Sequence, residues 1–255
     1  MSKLAATVAF TSALLSGAAY AASTKPTIVL VHGAFADASS WSGVITSLHD
    51  RGFATVAVAN PLRSVSGDAS YVSDIVKTIE GPVVLVGHSY GGQVISNVTD
   101  GIKNIKSLVY VAAFAPEKGD AAVELAGKFP GGTLGEALAQ PIPLAEGSVD
   151  LYIDQTKFHD QFAHDISERM AVSMAAGQRP ITEMALMEKS GEPIWKELPS
   201  FFVYGDADKN IPAKALSFMA ERAGSKRTVV VEGASHVVMV SNPEIVAELI
   251  EEAAQ

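Results

Sequence analysis

The chain has 255 residues, 48% of them hydrophobic and 18% charged, with a formal net charge of −9 and no cysteine. That balance excludes a disordered or coiled-coil protein, and the length suits one catalytic domain around one large core. Scattered basic residues in an acidic chain argue against nucleic-acid binding, and the missing thiols exclude disulfides, thiolate metal sites and a cysteine nucleophile.

The first element reads as a leader. Lys3 precedes an apolar, small-residue run from Leu4 to Ala19, followed by Ala19-Tyr20-Ala21, which is the pattern of a secretory signal peptide over 1–21. The expectation is export to the periplasm or medium, with a mature chain starting at Ala22. The run is short and rich in Ala, Ser and Thr, whereas a spanning helix needs about 20 strongly apolar residues, and no later segment qualifies. The domain proper is then 22–255, without a membrane span.

Its first strand is Thr27–Val31, followed by the turn His32-Gly33-Ala34-Phe35. Gly33 permits close approach of the backbone there. Ala54–Val58 is the second apolar run and Val83–Val86 the third. The third leads into Gly87-His88-Ser89-Tyr90-Gly91 and a helix predicted over Gly92–Thr99. A serine at a sharp strand-to-helix turn needs small residues two positions either side, because strand and helix crowd it. Gly87 and Gly91 supply them. The turn lifts the Ser89 hydroxyl out of the sheet, and the helix start aims N–H groups at any negative charge that develops there. The Tyr90 N–H and the Ala34 N–H are the candidate oxyanion donors.

Ser107–Val111 is the fourth strand, after which the rhythm stops near Ala115. About 80 residues without a strand pattern follow, too long for a loop, so 116–196 is read as a helical cap inserted between core strands. Its second half, Phe158–Lys189, is helix-like and rich in Met and Phe. Phe158, Phe162, Met170, Met174 and Met184, together with Phe35 on the first turn, are the candidate lining of an apolar substrate pocket. His159-Asp160 with His164-Asp165 puts two histidines five apart, a poor helix-face match for a metal site. The chemistry calls for no metal and no cofactor.

The strands resume at Phe201–Tyr204 and Thr228–Val231, and the final helix is announced by Asn242-Pro243-Glu244. Near-continuous apolar strands alternating with helices define an α/β fold, a mostly parallel sheet covered on both faces. Ligands in such folds bind at the C-terminal edge of the strands. His236, just past the last strand in Gly233-Ala234-Ser235-His236, falls there and follows the serine in chain order, which makes it the candidate base. His32 and His88 sit in glycine turns and are read as backbone supports. The segment Gly205-Asp206-Ala207-Asp208 supplies the orienting acid, and residue physics leaves Asp206 and Asp208 both open.

These motifs resemble the α/β-hydrolase family, and within it the serine esterase group of plant methylesterases, hydroxynitrile lyases and their bacterial relatives. The resemblance runs from about Thr27 to Ile250 on His32-Gly33-Ala34 with Trp41, Gly87-His88-Ser89-Tyr90-Gly91-Gly92, Ala207-Asp208-Lys209-Asn210-Ile211-Pro212 and Gly233-Ala234-Ser235-His236. It implies a triad of Ser89, Asp208 and His236, since the family acid stands four residues before the proline. A serine at the elbow departs from epoxide hydrolases and haloalkane dehalogenases, which carry aspartate. Val237 departs from the hydroxynitrile lyases, which carry lysine after the histidine. The implied activity is hydrolysis of small or medium apolar esters or lactones through an acyl-enzyme. A cofactor-free lyase, a perhydrolase or a non-catalytic ligand-binding protein are the alternatives.

Overall fold

The computed structural model describes residues 25–98 and 103–255; the leader expected over 1–21 lies outside them. Strand β1 (Thr27–Val31) is followed by helix α1 (Ser42–Asp50), then β2 (Thr55–Val58), α2 (Val65–Lys77), β3 (Val83–His88), α3 (Tyr90–Ser96) and β4 (Ile105–Val111). A long insertion holds α4 (Ala122–Gly127), α5 (Leu134–Ala137), β5 (Ile142–Pro143), β6 (Val149–Leu151), α6 (Gln155–Phe162), α7 (Glu168–Gly177), β7 (Ile181–Thr182) and α8 (Glu183–Met187). The chain closes with β8 (Ser200–Gly205), α9 (Ala213–Arg222), β9 (Arg227–Val231), α10 (Val238–Ser241) and α11 (Pro243–Ala253).

The main sheet runs β2-β1-β3-β4-β8-β9, with every neighbouring pair parallel. β1, β3 and β4 are central and almost wholly buried, which is why their sequences are unbroken apolar runs rather than alternating ones. Helices cover both faces: α11 packs on β3, β4 and β8 beside α1, while α3 packs on β1, β3 and β4 beside α2. Because the strands are parallel, the turns that leave β1, β3, β8 and β9 open on one edge of the sheet. All the candidate residues of chemical interest in the core lie on those turns.

The insertion holds the helices expected of a cap and a small sheet besides. Its five helices share it with a three-stranded antiparallel sheet in the order β5-β6-β7. Strands of two or three residues are too short to show a period of two, so the sequence pattern passes over them. Among the described residues, no helix is long and apolar enough to cross a membrane.

Candidate active site

Ser89 stands between β3 and α3 with φ 53° and ψ −124°, a conformation that costs a residue with a Cβ on the order of 1–3 kcal/mol unless its surroundings hold it. They do. The Ser89 carbonyl accepts from Gly92 N at 2.9 Å and Phe114 N at 3.1 Å, and its N–H donates to Val111 O at 3.3 Å. The crowding predicted for the turn is severe. A Cβ on Gly91 would lie 2.3 Å from Val31 O, and one on Gly87 would lie 2.6 Å from Gly91 O, so no side chain fits at either. A Cβ on Gly33 would strike the Ser89 Cβ at 2.6 Å, which measures how closely the first turn passes the serine.

That proximity brings the two candidate oxyanion donors to the serine. The Phe35 N–H is taken by Arg179 O at 2.9 Å, whereas the Ala34 and Tyr90 N–H groups have no protein acceptor among the described residues. His32 fixes the same loop. Its Nδ1–H donates to Gly33 O at 2.9 Å, and its Nε2 accepts from Asn60 N at 3.1 Å. Both ring nitrogens are thus used by a neutral ring, and burial lowers the His32 pKa to about 4.

At the neighbouring strand ends, His236 Nδ1 donates to Asp208 Oδ2 at 2.7 Å, with both side chains buried. The other Asp208 oxygen accepts from Asn210 N at 2.7 Å and Ile211 N at 3.0 Å. Asp206 points elsewhere: its Oδ1 accepts the Gly233 N–H at an exposed turn. The geometry therefore pairs His236 with Asp208, leaving Asp206 to hold the loop. His88, next to the serine, donates through Nε2 to His236 O at 3.1 Å, and the two rings stand 4.8 Å apart. Burial holds the His88 pKa well below the usual histidine range, so it is a neutral bracket between the two turns.

A cavity of about 420 Å³ is lined by Ser89, Tyr90 and Ala34 together with Phe35, Phe114, Leu186 and further apolar side chains of the insertion. It does not include the other pocket candidates. Phe158 and Phe162 are fully buried, and Phe162 packs edge-on to His236 with ring centroids 5.1 Å apart, 4.9 Å from Phe158 and 6.2 Å from Phe35. Helical spacing places them on one face of α6, but that face is turned into the core rather than the cavity. Met170 and Met174 line a separate hollow of about 460 Å³ that shares Phe35 as a wall, and Met184 is exposed. His159 and His164 each donate to a backbone carbonyl, of Ile166 and Ala207 respectively. Among the described residues, no group of three or more His, Asp or Glu could hold a metal ion.

The reading from sequence passes over Asn210 and Asp68. Asn210 borders the cavity beside the Asp208 turn, marked in sequence only by its neighbours. Asp68, buried on α2, accepts from Tyr90 OH at 2.9 Å, and burial raises its pKa. No motif announces a lone aspartate on an amphipathic helix.

A serine held on a strained turn above a parallel sheet, with a buried His–Asp pair on the adjoining turns, is the arrangement that defines the α/β hydrolases. The chain belongs to that family, the alpha/beta hydrolase family, whose model it matches over residues 28–249. Among curated relatives it is 27% identical over 252 residues to the alpha/beta hydrolase nvfD of Aspergillus novofumigatus, covering 90% of this chain and 97% of that one. It is 26% identical over 249 residues to a pimeloyl-[acyl-carrier protein] methyl ester esterase of Aeromonas hydrophila, covering 89% and 94%. Among solved structures, polyneuridine aldehyde esterase superposes with a TM-score of 0.78 at 17% identity, over 91% of this chain and 100% of that one.

Proposed function

We propose that this protein is an exported serine esterase that cleaves small or medium apolar esters or lactones through an acyl-enzyme. The observation that carries the reading is the buried 2.7 Å pair of His236 and Asp208 at the sheet edge where Ser89 borders an apolar cavity. Ser89 Oγ attacks the ester carbonyl as its proton passes to His236 Nε2, which is free to accept because Nδ1 holds the other proton against Asp208. The carbonyl oxygen becomes an oxyanion held by the Tyr90 and Ala34 N–H groups. The protonated His236 then delivers its proton to the leaving alcohol. Water, deprotonated in turn by His236, releases the acid and restores Ser89.

Walls such as Phe114, Leu138, Leu151 and Leu186 favour an uncharged, apolar group on the substrate. The esterase names carried by two of the relatives support the ester bond as the target. The test is labelling by a fluorophosphonate and turnover of chromogenic esters, compared between the native chain and Ser89→Ala. Both should vanish in the variant while its circular dichroism spectrum is unchanged; labelling that persists in Ser89→Ala refutes the nucleophile.

A further inference from the structure

We infer that the Asn210 side-chain amide is a specificity-determining hydrogen-bond donor in this cavity, and that the preferred substrate carries a second acceptor oxygen, an oxo, ether or amide group, on its otherwise apolar body. The inference rests on the esterase reading and adds the substrate class to it.

The orientation of the amide follows from its neighbours. Gln161 Nε2 lies 3.0 Å from Lys209 O, which can only accept, so that atom is the nitrogen and donates. Gln161 Oε1, on the other side, accepts from Thr133 Oγ1 at 2.8 Å. The same Gln161 Nε2 is 2.8 Å from the Asn210 side chain, so Asn210 must present its Oδ1 there, which leaves Nδ2 pointing away from Gln161. Among the described residues that nitrogen has no acceptor, although Asn210 as a whole is only 4% exposed and borders the cavity that holds Ser89.

That nitrogen is not among the sealed side-chain atoms left without a partner, so it keeps access to the cavity, and a ligand that closes over it without accepting from it loses binding. The lining is mainly apolar, and the polar side chains of Ser89 and Glu183 within it make no hydrogen bond to that nitrogen among the described residues. The Asn210 backbone N–H is already committed to Asp208 at 2.7 Å, so Asn210 is held rigidly next to the His236–Asp208 pair, and the insertion, through Thr133 and Gln161, fixes its side chain. A pocket that presents one oriented donor in an apolar wall discriminates against ligands that leave the donor unpaired.

The experiment uses 4-nitrophenyl hexanoate and three ether analogues in which oxygen replaces the third, fourth or fifth acyl carbon, each kcat/KM normalised to the alkaline hydrolysis rate of the same ester. The native protein should favour one ether over the hydrocarbon by about 3- to 10-fold, the span of one neutral hydrogen bond. That ratio should collapse towards one in Asn210→Leu, which keeps the backbone N–H on Asp208. A purely structural role lowers both rates and leaves their ratio standing, which overturns the inference, as does a native protein indifferent to all three ethers. Asn210→Ser, whose hydroxyl is too short to reach, provides the same comparison should the leucine variant fail to fold. Calorimetric binding of the four esters to Ser89→Ala separates the two readings. Discrimination there without turnover by the native chain sinks the esterase and keeps the donor, whereas equal binding sinks the donor whatever the chain hydrolyses.

Discussion

Replacing Asp208 by asparagine should remove nearly all activity with little change of shape, and the geometry says why. Asp208 Oδ1 is held by two backbone N–H groups at 2.7 and 3.0 Å, and only an acceptor satisfies them. The asparagine carbonyl must therefore stay in that place, which puts its NH₂ where Oδ2 now faces His236 Nδ1 at 2.7 Å. A donor opposite an N–H drives the ring to the tautomer protonated at Nε2, which no longer accepts the serine proton. In serine proteases that change costs kcat about 10⁴-fold, or about 5 kcal/mol of transition-state stabilisation. Asp206→Asn is the internal control. Its carbonyl can still accept from Gly233 N at an exposed turn, so kcat should stay within about twofold. Initial rates on a chromogenic ester, normalised to fluorophosphonate-titratable sites, give the comparison. Equal losses in the two variants, or more than about a tenth of native activity in Asp208→Asn, would refute the argument.

Phe162→Ala should destabilise the fold by about 3–5 kcal/mol and lower kcat as well, because the ring removed is fully buried and packs on both His236 and His88. Urea denaturation and steady-state rates check it, and a stability loss below about 1 kcal/mol refutes the packing argument. His32 should make the protein acid-sensitive. Its native pKa is lowered from 6.5 to about 4, so below pH 6.5 the unfolded chain takes up a proton that the native chain refuses, and stability falls as pH drops through that window. The full effect approaches about 3 kcal/mol near pH 4. Thermal midpoints measured from pH 7 to pH 4.5 should fall in the native chain and fall less in His32→Gln; parallel curves would remove His32 from the account.

The central strands of the sheet are legible because a parallel strand covered on both faces has to be a continuous apolar run, and Thr27–Val31 is found with the bounds expected for it, whereas the edge strand β9 is largely exposed and is legible only as a β-branched run. The expected helix from Gly92 ends at Ser96 in the structure and opens two residues earlier, at Tyr90, directly behind the serine. The insertion is harder to foresee for a physical reason. Helical spacing reports that Phe158 and Phe162 share a face, but not whether that face meets a cavity or the underside of His236. The same limit applies to Asp206 and Asp208. Two residues apart on one turn, they are chemically alike in sequence, and only the third dimension gives one to Gly233 N and the other to His236. Asn210 escapes notice because its orientation is set by Gln161, 49 positions earlier in the chain.

The three groups of the Ser–His–Asp reading are supplied by turns far apart in synthesis. The Ser89 turn can be completed once β4 has been added, because its bonds reach only to Val111 and Phe114. The Asp208 and His236 turns emerge 94 and 122 residues after Phe114, and β9, which precedes His236, pairs only with β8. A growing chain thus holds the serine without His236 for the 147 positions that separate them, more than half of its synthesis. On the esterase reading, the enzyme is silent towards esters until its last strand docks, and the appearance of activity is itself a reporter of complete folding.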